Sequence, residues 1–130
     1  MSSSGSAKVF IVEDNFIYSY LVESMLKDYG DFKITTFGSA EECIALLGNN
    51  PDLIILDYKL GSGMNGLEAF KIIHASQPKV PVIILSSQND VQIAADFLQL
   101  GAYDYIEKKD LEEAMEKLRN SILSALGKKE

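Results

Sequence analysis

The run Leu53-Ile54-Ile55-Leu56-Asp57 decides the fold class, because four large aliphatic residues lead directly into a carboxylate. Such a continuous apolar run is typical of a strand that is buried on both faces of a parallel sheet. Three similar runs also end in reactive side chains: Val9–Val12 before Glu13-Asp14, Val82–Leu85 before Ser86-Ser87, and Tyr103–Glu107 before Lys108. If the strands are parallel, these side chains gather at the edge where open α/β sheets bind ligands. Several anions held close together need a cation, so the sequence suggests metal-dependent phosphate chemistry.

The composition predicts one globular domain in a reducing compartment. The chain has 130 residues, of which 47% are hydrophobic and 24% are charged, and this is enough for a substantial core. The net charge of -7, with no basic stripe, argues against direct binding to nucleic acid. No apolar run is long enough to span a membrane, and Cys43 has no second cysteine with which to pair. We therefore predict a cytoplasmic protein.

Strand-like and helix-like segments alternate five times along the chain. The strands are predicted near residues 8–12, 33–37, 53–56, 80–85 and 103–106. Apolar residues at helical spacing predict the inward stripes of the helices: Ile17, Leu21 and Met25; Ala40, Cys43, Ile44 and Leu47; Leu67, Phe70 and Ile73; Val91, Ala94, Ala95 and Leu98; and Leu111, Ala114, Met115, Leu118, Ile122 and Leu126. Alternating β and α elements with right-handed crossovers give a doubly wound parallel sheet.

Capping residues and chain ends complete this outline. The predicted N-caps are Ser39, which forms a capping box with Glu42, then Asn89 or Asp90, and Asp110. We expect residues 1–6 to be a flexible leader or an expression remnant, 7–126 to form the domain, and 127–130 to form a polar tail.

Several separated positions match one protein family in residue type, order and context: Glu13-Asp14, Asp57, Ser86, Tyr105 and Lys108, together with Met64–Glu68 and Gly101-Ala102. The chain resembles the receiver domain of two-component response regulators over residues 7–126. The resemblance implies a flavodoxin-like α/β fold with five helices and a five-stranded parallel sheet of order 2-1-3-4-5. It also implies a signalling domain, not an enzyme in the usual sense, in which Asp57 accepts a phosphoryl group from a histidine kinase or a histidine phosphotransfer protein.

The resemblance also assigns the metal ligands. Asp57 would be the nucleophile, and Asp14 and Asp57 would bind Mg²⁺ or Mn²⁺ directly. The backbone carbonyl of Lys59 would complete the protein ligands, and Glu13 would act through water. The residues themselves leave one alternative open, in which Glu13-Asp14-Asn15 only caps the first helix.

The remaining positions would bind the phosphoryl group and report its presence. By resemblance, the Lys108 ammonium would face the phosphoryl oxygens, and Ser86 would donate a hydrogen bond to one of them. The small side chain of Ser87 would keep a path open to Asp57. Tyr105 would be an aromatic switch that swings inward as Ser86 moves; alternatively, it is an ordinary half-buried strand tyrosine.

Two segments depart from the family pattern. Lys109 stands where the family usually has a proline after the conserved lysine, so we expect no cis peptide there. Gly61-Ser62-Gly63 replaces the usual proline after Asp57, and the added glycine predicts a more mobile loop beside the metal site. Lys59 and Gln88 stand at positions that tune phosphoryl lifetime in the family.

Other functions are weighed against this one. A degenerate receiver would bind partners without phosphorylation, and the altered loop keeps that alternative open. An aspartyl phosphohydrolase generally needs a second carboxylate two residues after the nucleophile, where this chain has Lys59. A flavin binder is disfavoured because the chain has no tryptophan and no phosphate loop after the first strand. His74 is interpreted as a surface or boundary residue and not as a phosphorelay histidine, and Cys43 is interpreted as a core residue.

The same resemblance predicts which face of the domain passes the signal on. The face formed by the fourth helix, fifth strand and fifth helix, around Tyr105, would form a homodimer or bind a downstream effector or effector domain. The last predicted helix ends near Leu126, so the chain is either a stand-alone regulator or a piece of a longer protein. Neither nucleic acid nor a membrane is expected as a direct partner.

Overall fold

The computed structural model describes residues 6–61, 63–88 and 90–127, and in these residues five strands alternate with five helices. The strands are β1 (Ala7–Val12), β2 (Phe32–Phe37), β3 (Leu53–Asp57), β4 (Val82–Ser86) and β5 (Asp104–Glu107). The helices are α1 (Phe16–Lys27), α2 (Ala40–Ala45), α3 (Gly66–Ser76), α4 (Val91–Gln99) and α5 (Leu111–Ala125), and a turn of 3-10 helix (Leu47–Asn49) follows α2.

The five strands form one parallel sheet in the order β2-β1-β3-β4-β5. Every residue of β3 and β4 is buried, as expected for central strands that helices cover on both faces. Asp57 lies opposite Leu85 in the ladder between them, so the end of β3 and the end of β4 meet at one edge. The predicted fold class, sheet order and number of helices are confirmed.

Alternating residues of the central strands feed two cores, one on each face of the sheet. Ile54 and Leu56 pack with apolar residues of α2, α3 and α4, including Phe70 and Phe97. Ile55, on the opposite face, packs with apolar residues of α1 and α5. The period-two alternation of strand side chains therefore positions both helical layers.

The helices begin at side-chain caps. The Asn15 side chain accepts a hydrogen bond from the Tyr18 backbone N–H, so Asn15 itself caps α1. Ser39, Asp90 and Asp110 cap α2, α4 and α5, as the sequence predicted. The alternative candidate for the α4 cap, Asn89, lies outside the described residues, as do Ser62, most of the predicted leader and the last three residues.

The predicted inward face of α4 is wrong. Val91 and Leu98 are 83% and 48% exposed, Ala95 is also exposed, and the fully buried residue of this helix is Phe97. Phe97 makes edge-to-face contacts with Tyr58 and Phe70 in the core. Burying the Phe97 ring removes more apolar area from water than burying the aliphatic side chain of its neighbour Leu98. This difference accounts for the rotation of the helix.

Two other predicted stripes are partly wrong. In α1, Ile17 is 69% exposed, and Val22 and Leu26 are the buried apolar residues. In α5, Leu111 is 46% exposed because it opens the helix at the rim of the sheet, whereas Leu118 lies in the core. None of the helices in the described ranges is both long enough and apolar enough to cross a membrane.

Candidate functional site

The carboxyl edge of the sheet brings four of the predicted site residues together. Glu13 and Asp14 follow β1, Asp57 is the last residue of β3, and Lys108 follows β5. The Lys108 backbone N–H donates to the carbonyl oxygen of Ser86 at 2.7 Å, which extends the β4–β5 ladder and aims this segment at the edge. Parallel pairing therefore delivers residues that are 95 positions apart in the chain to one site.

Three carboxylates at this edge form a cluster suited to a metal ion. Glu13, Asp14 and Asp57 each offer one oxygen, and these oxygens lie within 4.8 Å of one another. Glu13 and Asp57 are buried, whereas Asp14 is exposed. Hard oxygen donors of this kind are the ligands that Mg²⁺ and Mn²⁺ prefer in proteins.

Lys108 supplies the positive charge within this cluster. Its Nζ lies 2.7 Å from Glu13 Oε1 and 3.1 Å from Asp57 Oδ1, and its side chain is only 14% exposed. One ammonium cannot neutralise three carboxylates, so the cluster retains an excess of negative charge that a divalent cation would offset. The residues present therefore fit a bound divalent metal ion.

Burial makes the charge of Asp57 unfavourable. Desolvation raises the pKa of Asp57 to about 7, and the neighbouring charge of Glu13 also raises it. The ammonium of Lys108 acts in the opposite direction but does not cancel the burial. A cation beside Asp57 would favour its ionised, nucleophilic form.

The carboxylates of Glu13 and Asp14 are not used to cap α1. Asn15 is the cap, and its own backbone N–H donates to Glu13 Oε2 at 3.1 Å. The Glu13 backbone N–H donates to the carbonyl oxygen of Phe37 at 3.0 Å, which fixes the chain as it leaves β1. The alternative in which these acidic residues only cap the helix is therefore wrong for Glu13 and Asp14.

Two backbone N–H groups of the glycine-rich loop after Asp57 donate hydrogen bonds to acidic side chains. The Gly61 backbone N–H donates to Asp14 Oδ2 at 2.7 Å, and the Met64 backbone N–H donates to Glu41 Oε2 at 3.0 Å. A Cβ atom at Gly61 would lie only 2.8 Å from Asp14 Oδ2, so only glycine permits this close approach. The mobility that the glycine content predicts stays a prediction, because Ser62 in the middle of the loop lies outside the described residues.

Ser86 and Tyr105 are connected through the backbone of Gln88. The Gln88 N–H donates to Ser86 Oγ at 2.9 Å, and the Tyr105 hydroxyl donates to the Gln88 carbonyl oxygen at 3.2 Å. Ser86 is fully buried, and Tyr105 is half-buried with its ring 6.0 Å from that of Phe97. The Ser86 hydroxyl and the Tyr105 hydroxyl are therefore joined through one intervening residue.

The other predicted residues lie at the surface of the site or away from it. Lys59, Ser87 and Lys109 are exposed, and every described peptide bond is trans, including the one between Lys108 and Lys109. His74 is partly buried, stacks on Phe70 in α3, and its Nε2 points at Gly101. Cys43 is buried in the core as predicted.

One residue of the site was missed in the sequence. The Lys108 ammonium lies 4.5 Å from the centroid of the Tyr18 ring. Tyr18 is four residues after Asp14, so the first turn of α1 carries it back over the sheet edge. This spacing could have indicated the contact between Tyr18 and the site, but only if the direction of α1 relative to the sheet had been known.

The comparison with known families agrees with this geometry. A family profile described as "Response regulator receiver domain" matches residues 9–119. This chain belongs to that family. The prediction of a receiver domain of two-component signalling is therefore confirmed, and such domains act in signalling.

Relatives of this receiver domain include a nitrogen assimilation regulatory protein and a DNA-binding transcriptional regulator. The chain is 37% identical over 102 residues to the nitrogen assimilation regulatory protein NtrX of Azorhizobium caulinodans, covering 77% of this chain and 22% of that protein. It is 33% identical over 116 residues to the DNA-binding transcriptional regulator NtrC of Salmonella typhimurium, covering 88% of this chain and 24% of that protein. The chain thus spans under a quarter of the length of these curated relatives.

A solved structure of a related receiver domain shares the fold. The receiver domain of NtrX from Brucella abortus superposes on this receiver domain with a TM-score of 0.82 and 28% sequence identity. The match covers 93% of this chain and 99% of that one. The flavodoxin-like assignment therefore holds over nearly the whole chain.

Proposed function

We propose that Asp57 is the phosphoacceptor of this receiver domain, and that its phosphorylation changes the surface around Tyr105. The observation that carries the proposal is the position of Lys108, whose ammonium lies between the buried carboxylates of Glu13 and Asp57. A carboxylate can attack phosphorus only if the negative charge of the phosphoryl oxygens is offset, and the Lys108 ammonium together with a divalent cation would offset it.

The proposed step is a phosphoryl transfer between two residues. A carboxylate oxygen of Asp57 forms a bond to phosphorus while the phosphorus–nitrogen bond of a phosphohistidine breaks, and the histidine leaves as neutral imidazole after it gains a proton. Asp57 then carries an acyl phosphate, which water later hydrolyses in the same site. Turnover is therefore limited to the domain's own phosphate, as expected for a signalling domain.

Asp14 and Asp57 would hold Mg²⁺ or Mn²⁺, with the Lys59 backbone carbonyl as a further ligand and Glu13 acting through water. When bound, the ion would neutralise charge on the phosphoryl oxygens. The chain's own contribution is to keep Asp14 oriented through the Gly61 N–H and to keep the ammonium of Lys108 at Asp57. Lys59 and Ser87 are both exposed, and they would flank the path by which a donor reaches Asp57.

The proposed switch follows the Ser86–Gln88–Tyr105 connection. A phosphoryl group on Asp57 would attract the Ser86 hydroxyl, which at present accepts a hydrogen bond from Gln88. Movement of this segment would break the contact between the Gln88 carbonyl and the Tyr105 hydroxyl and free the ring to change position. Such a two-state element is what a phosphate can bias.

The partners are proposed from the exposed apolar surface. Phe16, Ile17 and Tyr20 are 83%, 69% and 62% exposed, and they immediately follow the acidic cluster in the chain. We assign this patch on α1 to the histidine kinase or histidine phosphotransfer protein that donates the phosphoryl group, because a donor must place its histidine beside Asp57. The output face of α4, β5 and α5 also exposes apolar side chains, including Val91 and Tyr103, and would bind an effector or a second copy of the chain.

Beryllofluoride, which mimics a phosphoryl group on a carboxylate, tests this function without a donor. We expect it to shift the amide NMR signals of Ser86, Gln88, Tyr105 and Lys108 when Mg²⁺ is present. Asp57→Asn should abolish these shifts while leaving the rest of the spectrum intact. Unchanged signals in the parent protein would instead support a degenerate receiver that binds partners without phosphorylation.

A further inference from the structure

Three side chains contact the Lys108 ammonium, and one of them is the aromatic ring of Tyr18. Nζ lies 4.5 Å from the centroid of the Tyr18 ring, within the range of a cation–π contact. The same nitrogen contacts Glu13 Oε1 at 2.7 Å and Asp57 Oδ1 at 3.1 Å. The ammonium is therefore enclosed by two carboxylates and one aromatic face.

This enclosure matters because lysine is a poor positioning group by itself. Its charge sits at the end of a flexible four-carbon chain, and such a side chain loses rotamer entropy when it is fixed. The carboxylates of Glu13 and Asp57 hold the ammonium by charge, and the face of the Tyr18 ring adds a third contact. The exposed fraction of the Lys108 side chain, 14%, agrees with this arrangement.

The hydroxyl of Tyr18 does not account for the contact. It is buried, and it has no hydrogen-bond partner among the described residues. Burial and the charges of Glu13 and Asp57 raise the pKa of Tyr18 to about 12, so the ring is uncharged at neutral pH. The feature that Tyr18 offers to Lys108 is therefore the electron-rich face of its ring.

We propose that Tyr18 is a positioning residue that holds the Lys108 ammonium at Asp57 for phosphoryl transfer. The kinetic part of this inference rests on the proposed function. The contact between the ring and the ammonium stands independently of it and is measurable without phosphorylation.

The kinetic test compares the full chain with three variants, using acetyl phosphate and Mg²⁺ as the phosphoryl source. Tyr18→Leu should slow phosphorylation about threefold to tenfold, as expected for the loss of a partly buried cation–π contact. Tyr18→Phe keeps the ring and should restore most of the rate. Tyr29→Leu is the matched control, because Arg119 packs over the Tyr29 ring at 5.0 Å, just beyond the end of α1 that is far from the site.

The spectroscopic test follows the ε-methylene protons of Lys108. The ring current should shift their NMR signals upfield in the parent and in Tyr18→Phe, and Tyr18→Leu should return them to the ordinary lysine position. A Tyr18→Phe variant as slow as Tyr18→Leu would overturn the inference, since the hydroxyl would then be responsible, and so would an unshifted parent signal. A parent that takes up no phosphate would overturn the proposed function and the kinetic part, while the chemical shift would still decide the contact.

Discussion

Asp57 carries a charge that the fold itself disfavours. Its pKa of about 7 lies above the ordinary value of 3.8, chiefly because the carboxyl is buried. The folded protein therefore binds this proton more tightly than the unfolded chain does. Its contribution to stability is full below the ordinary pKa and is lost as the pH rises through about 7.

This sign predicts how Asp57→Asn changes stability without metal. The neutral amide has no charge to desolvate, so we expect the variant to unfold at a higher temperature than the parent above about pH 7. The difference should narrow as the pH falls and should disappear below about pH 3, where Asp57 is protonated in both the folded and the unfolded state. Thermal unfolding followed by circular dichroism in a chelating buffer measures this, and a variant that is less stable than the parent at high pH would contradict it.

Gly61 is predicted to set the affinity for the metal ion. In Gly61→Ala the new Cβ would lie 2.8 Å from Asp14 Oδ2 and would push this carboxylate out of the cluster. Because partners that orient a metal ligand typically contribute tenfold or more to affinity, we expect Mg²⁺ binding to weaken about tenfold. Isothermal titration calorimetry with Mg²⁺ gives the dissociation constant.

Gly38→Ala is the matched control for this substitution, because a Cβ there meets nothing within 4 Å. Equal Mg²⁺ affinities for the two variants would show that the close approach of Gly61 to Asp14 does not matter for metal binding. A loss of affinity in Gly61→Ala alone would support the role of this close approach.

Some residues of the site could be predicted from the sequence, and others could not. The meeting of Glu13, Asp57 and Lys108 follows from parallel strand ends, and the structure brings their side chains into contact. Tyr18 and the Gly61–Asp14 hydrogen bond could not be found in the same way. Both depend on the path of a helix or loop over the sheet edge, which residue type and spacing leave undetermined.

At the scale of elements, α4 shows that apolar periodicity can predict a helix without predicting which face of it is buried. Two apolar stripes at helical spacing share Ala94: one runs through Val91 and Leu98, and the other runs through Ile93 and Phe97. Only the second packs on the core, where Phe97 is 1% exposed. The rotation of a helix is decided by its fit against neighbours, whereas its existence and its Asp90 cap are local properties that the sequence predicted.

The beginning of α1 is predicted to serve the phosphoryl donor and not the chemistry. The double variant Phe16→Ser/Ile17→Ser removes two side chains that are 83% and 69% exposed, so its fold should be unaffected. Transfer from a phosphorylated histidine phosphotransfer protein should slow about tenfold, as for loss of an apolar contact point in an interface. The rate with acetyl phosphate, which needs no docking surface, should stay the same.

Ile72→Ser provides the control for this experiment, since Ile72 is a 42% exposed aliphatic residue on α3. It should leave both rates unaltered. If the double variant slowed both phosphoryl sources equally, the patch would be part of the reacting site and the assignment to a docking surface would be lost.

At the scale of the whole molecule, the sheet explains why this chemistry occurs at one edge. Parallel strands place every carboxyl end on the same side, and burial of both faces makes β3 and β4 fixed supports for Asp57 and Ser86. This arrangement follows from the apolar runs and from strand–helix alternation, which is why the fold was predictable. The orientation of α1 and the path of the loop after β3 required the structure.

The central claim is that Asp57 accepts a phosphoryl group in a metal-dependent reaction, and intact mass after incubation with acetyl phosphate and Mg²⁺ tests it most directly. We predict a gain equal to one phosphoryl group in the parent, and no gain in Asp57→Asn or when a chelator replaces the metal. An adduct of the same size on Asp57→Asn, or none on the parent, would contradict the account.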